Sequence, residues 1–99
     1  MKTESGSDPN SGADLTEKTN RYRRLLSRAL DSVEVVEESD EADEFLEMAE
    51  SYYDDGEHFL ENDDEVNALA AFSYGHAWLD AGMRSGIFDA DDNREIFTV

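Results

Sequence analysis

The sequence predicts an all-α chain: an antiparallel three-helix bundle with a disordered N-terminal tail over residues 1–14, and one domain over residues 15–99 whose C-terminal tail packs on the third helix. Three observations predict this. Apolar residues recur at helical spacing in three separate stretches. Polar connectors carrying capping residues divide those stretches. The length of 99 residues, less the polar opening, suffices for one modest core and nothing larger.

The tail carries Gly6, Pro9 and Gly12 among Ser, Asp and Asn, a composition too poor in apolar side chains to offset the entropy of ordering. Helix 1 is expected from Leu15, where Asp14 and Glu17 resemble a capping box, to about Val35. Its apolar positions are Tyr22, Leu25, Leu26, Ala29, Leu30 and Val33. Ser39 or Asp40 caps helix 2, which places Ala42, Phe45, Leu46, Ala49, Tyr52, Tyr53, Phe59 and Leu60 on its apolar side and turns Glu44, Glu47, Asp54 and Glu61 to water. The turn Asn62-Asp63-Asp64 caps helix 3, whose apolar surface is broad: Val66, Leu69, Ala70, Phe72, Tyr74, Ala77, Trp78, Leu79, Ala81 and Met83. Arg84 suits the last turn and Gly86 the stop. Ile87, Phe88, Ile96, Phe97 and Val99, around a polar turn, are expected to fold back over helix 3.

Composition sets the habitat. The chain has 26 acids against 8 bases, a net charge of -18, and two lysines. Such self-repulsion is tolerable where molar salt shortens the Debye length to about 3 Å, so the charge reads as the mark of a salt-adapted, cytosolic protein. With no cysteine, disulfides and thiolate chemistry are excluded, and any metal ligand has to be His, Asp or Glu. No signal-peptide pattern opens the chain, and no run approaches the roughly 20 apolar residues of a membrane span.

Two resemblances follow from particular residues. Tyr52, Gly56, Phe59, Ala68 and Phe72 fit the register of one tetratricopeptide hairpin, but Asp80 stands where that pattern has proline, and one unit does not make a solenoid. Tyr22-Arg23-Arg24-Leu25, Met48 to Tyr52 and, above all, Asn67 to Gly82 resemble an archaeal family known as domain of unknown function 357. That resemblance implies a three-helix bundle and an archaeal origin. It implies no activity and supplies no functional residues.

The candidate site is Tyr74, His76, Trp78 and Asp80. His76 and Asp80 are four apart and share a helix face, where they could join a carboxylate of helix 2 as metal ligands or act as an acid–base pair. A metal site needs three or four convergent ligands, however, and His58 lies on another helix. No metal or other cofactor is therefore assigned. The competing structural reading has Asp80 accepting a hydrogen bond from a Tyr, His or Arg of a neighbouring helix, with Trp78 and Tyr74 in the core. Gly75 and Gly82, seven apart, are expected to admit close approach of another helix or the tail.

Lys18, Arg21, Arg24 and Arg28 form a basic stripe, while residues 29–83 contain no Lys or Arg. The stripe is expected to match carboxylates of helices 2 and 3 in preference to nucleic acid, which the net charge repels. Three helices have limited capacity to bury Phe72, Tyr74, Trp78, Leu79, Met83, Ile87, Phe88 and Phe97 together. The leading expectation is thus a non-enzymatic module that self-associates or docks a protein partner through helix 3 and the tail.

Overall fold

The computed structural model describes residues 11–90 and 95–97, with side chains from Asp14 onward. Three helices, α1 (Ser11–Ser32), α2 (Asp40–Glu61) and α3 (Glu65–Arg84), form an antiparallel bundle, and two short strands, β1 (Glu34–Val35) and β2 (Phe88–Asp89), tie its one end together. α3 is the shared element: it packs most extensively on α2, next on α1, while α1 and α2 touch each other least.

Small residues set the α2–α3 approach. Ala42, Ala49 and Gly56 repeat every seven residues along α2 and are all buried. Facing them, Ala68, Phe72, Gly75, Leu79 and Gly82 make a buried seam on α3 at alternating steps of four and three. A Cβ on Gly56 would lie 2.3 Å from the Phe72 ring, so the glycine leaves space for that ring. One on Gly75 would meet Leu26 at 2.7 Å and the Ala49 carbonyl oxygen at 3.2 Å. Gly75 thus admits both neighbouring helices, and Gly82, where a Cβ would lie 2.2 Å from Phe88, admits the tail.

The caps follow the sequence. Ser39 accepts from the Ala42 amide at 3.0 Å, and Asp64 accepts from the Asn67 amide at 3.2 Å and its side-chain amide at 2.7 Å. Gly86, at φ 81°, takes the left-handed conformation that stops α3.

α1 departs from expectation at both ends. It begins at Ser11, so residues 11–14 of the expected tail are helical and Asp14 lies within the first turn; residues 1–10 lie outside the described residues. It ends at Ser32, whose hydroxyl donates to the Arg28 carbonyl at 2.7 Å. Glu34 and Val35, expected in the helix, instead pair antiparallel with Asp89 and Phe88. The Val36 amide extends the ladder to the Ile87 carbonyl at 3.0 Å.

The tail does fold back on the bundle. Phe88, Ala90, Ile96 and Phe97 are buried with the helical core. Of the eight large residues expected to exceed the core's capacity, Phe72, Leu79, Met83, Phe88 and Phe97 are buried. The apolar surplus is correspondingly smaller than the sequence predicts: of the eight, Tyr74 is exposed and Trp78 and Ile87 are half-buried.

Candidate functional site

α3 presents different chemistry on its two sides. On the inner side, the His76 ring is clasped from both edges: Nε2 donates to the Ile96 carbonyl at 2.8 Å, and Nδ1 lies 3.2 Å from Asp80 Oδ2. A carbonyl can only accept, so Nε2 carries the proton of that hydrogen bond. Phe97 stacks on it at 5.8 Å and 30°. The side chains of His76 and Asp80 are only 6% and 15% exposed. The four-residue spacing therefore builds a latch for the tail, in which Asp80 meets a histidine of its own helix, where the structural reading expected a partner on a neighbouring one. Among the described residues no group of three or more His, Cys, Asp or Glu converges as a metal site. His58 is exposed in the last turn of α2, beside Asn62.

Tyr74 and Trp78 part company with His76. Trp78 is half-buried, edge-to-face with Phe45 at 5.0 Å and 82°. Tyr74, placed in the core by the competing structural reading and on the docking surface by the leading one, is 61% exposed. Two residues past Phe72 it is rotated about 200° around the helix, which carries it off the buried seam. Its ring lies 5.7 Å from Tyr52. Tyr52, Tyr74, Ala77, Trp78 and Ala81 line an open groove of ≈ 290 Å³ between α2 and α3. With Val66, 66% exposed, and half-buried Ala70, they extend an uncharged strip along α3. Between Glu65 and Asp80 this helix has no acid at all.

The basic stripe also corrects an expectation. Lys18, Arg21, Arg24 and Arg28 are all exposed, and among the described residues none of them forms an ion pair. The arginine that does pair is Arg23, which the stripe omits: it bridges to Glu57 of α2, donating from Nη2 at 3.2 Å. The hydrogen bond with Tyr53, followed by the one with Glu57, holds the Arg23 pKa above its ordinary value. Arg23 points at α2, while the stripe points away from the core.

The geometry thus gives a bundle with a latched tail and two uncommitted surfaces. A family model described as "Protein of unknown function (DUF357)" matches residues 21–88, more than half the chain. The chain belongs to this family. The match runs from Arg21 within α1 to Phe88 in β2, so it covers the second half of α1, all of α2 and α3, and β1. No curated protein and no solved structure matches the chain. Among the described residues, no helix of this DUF357 protein is long and apolar enough to cross a membrane.

Proposed function

We propose that this DUF357 protein is a non-enzymatic interaction module of a salt-rich, archaeal-type cytosol, and that it self-associates through the outward face of α3. The observation that carries the reading is the uncharged strip of Val66, Ala70, Tyr74, Ala77 and Ala81 on a chain of net charge -18. Two such chains approach with least repulsion where neither carries an acid. The occupant is a second copy because the strip complements itself. In an antiparallel pair of α3 helices, Tyr74 faces Ala77 of the second copy and Ala70 faces Ala81, so that the large residue opposes a small one. Salt favours this contact twice, by screening the net charge and by strengthening apolar burial. The acid excess and lysine poverty that support a salt-rich habitat are then part of the same design.

His76 and Asp80 belong in this account as latch residues, since the tail covers the pair that the catalytic or metal alternative needs open. Light scattering coupled to gel filtration in roughly 2 M KCl, where the Debye length is below about 3 Å, tests the reading. A dimer that Tyr74→Glu converts to monomer is the expected result. A monomeric wild type at every concentration overturns it.

A further inference from the structure

Beyond the α3 contact, the opposite side of the bundle carries a pattern of its own. On α2, Asp43, Glu47, Glu50, Asp54, Glu57 and Glu61 follow one another at steps of four, three, four, three and four. That spacing confines them to one side of the helix, and all but half-buried Glu57 are exposed. The Arg23–Glu57 bridge fixes this row on the flank of α2 that adjoins α1. On α1, Arg21, Arg24 and Arg28 step by three and four, preceded by Lys18. Arg24 and Arg28 reach the shallow groove shared with Tyr53 of α2 and lined by Asn20, Arg23 and Ser27. Arg24 and Arg28 thus bring unpaired cations to the α1–α2 face beside its anionic row, with Arg21 and Lys18 farther round α1.

We infer that this face is a second association surface, which takes the same face of another copy. The occupant follows from charge and symmetry. A two-fold axis lying in the interface, parallel to the helices and midway between them, lays α1 of each copy along α2 of the other. Each basic row then meets an acidic row, and one operation makes both contacts. The lengths are compatible, with cations spread over about 15 Å and acids over about 27 Å at 1.5 Å per residue. Two helices side by side also offer a broader footprint than one helix alone, nearer the roughly 800 Å² per partner of a stable interface. A nucleic acid fits less well, because its phosphates would lie against the acidic row.

Salt dependence separates this contact from the one on α3. At low ionic strength the two net charges of -18 repel over long range. At about 1 M the contact pairs are themselves weakened. Association through the bipolar face therefore peaks between these limits, whereas the α3 contact strengthens up to molar salt.

The test uses the full chain in a Tyr74→Glu background, which removes the α3 contact and lets either surface fail independently. Sedimentation equilibrium at roughly 0.3 M KCl, a Debye length near 6 Å, is compared with low salt and 1 M. One variant carries Arg21→Glu, Arg24→Glu and Arg28→Glu; a second carries Glu47→Arg, Glu50→Arg and Asp54→Arg. The expected result is a dimer of the background chain at the intermediate salt, at least tenfold weaker at 1 M. Neither reversed variant associates alone, and an equimolar mixture restores a one-to-one heterodimer. Circular dichroism checks helix content, and if a triple reversal unfolds, Arg24→Glu mixed with Asp54→Arg repeats the measurement. A background chain that stays monomeric at all salts overturns the proposal, as does a mixture that fails to associate. Binding of a labelled single-stranded oligonucleotide that depends on Arg21, Arg24 and Arg28, without self-association, would overturn it in favour of a nucleic-acid site.

Discussion

Two residues apart on one helix, Tyr74 and His76 belong to different parts of the molecule. The inner side of α3 is dry, packed on glycine and alanine, and closed by a tail whose backbone the histidine holds. The outer side is smooth, uncharged and open, with a tyrosine ring in solvent. Residue type alone would rank the histidine–aspartate pair as the functional one. Position reverses that ranking: the polar pair is covered by the tail it holds, and the apolar strip is left exposed.

Substitutions on the two sides should break the molecule differently. Phe72→Ala empties a site that is 0% exposed, directly over Gly56, and should cost about 3–5 kcal/mol in urea unfolding, the range for deleting a buried aromatic ring. Gly82→Ala drives a methyl group into the Phe88 ring and should cost about 1–3 kcal/mol; limited proteolysis should then show cleavage after Ile87 that the wild type resists. His76→Leu leaves the Ile96 carbonyl without its ring donor, for about 1–3 kcal/mol. Hydrogen exchange should rise chiefly at residues 95–97, and an unchanged tail would show that the latch contributes little. Tyr74→Glu should leave stability within about 0.5 kcal/mol, as surface changes do, while abolishing association in molar salt. That pairing of a stable fold with lost association is the sharpest contrast between the two sides.

Much of the fold was legible because periodicity and capping are local. Ser39, Asp64 and Gly86 mark helix ends by mechanisms confined to a few residues, and the glycines at 75 and 82 announced close approach. The β1–β2 pairing was not legible, since two-residue strands have no period to read and their partners are more than fifty residues apart. Glu34 and Val35 simply continued the helical pattern of α1. The site was half visible. The four-residue spacing gave the His76–Asp80 contact, but the Ile96 carbonyl that completes the latch carries no side-chain signal. Tyr74 stood between the core and the docking surface, because a broad apolar helix does not say which of its aromatics exceeds the space available. The acidic row on α2 was present in the spacing, obscured by an acid excess that reads first as habitat.

The absence of cysteine makes the central claim directly testable by cross-linking. Ala77→Cys, exposed and next to the two-fold axis of an antiparallel α3 pair, is oxidised in roughly 2 M KCl, where long-range charge is screened. Exposed Glu44→Cys on α2 serves as the control for random collision. The account predicts a disulfide-linked dimer for Ala77→Cys, lost when Tyr74→Glu is added, and monomer for Glu44→Cys. Equal cross-linking at the two positions, or none at Ala77→Cys, would contradict it.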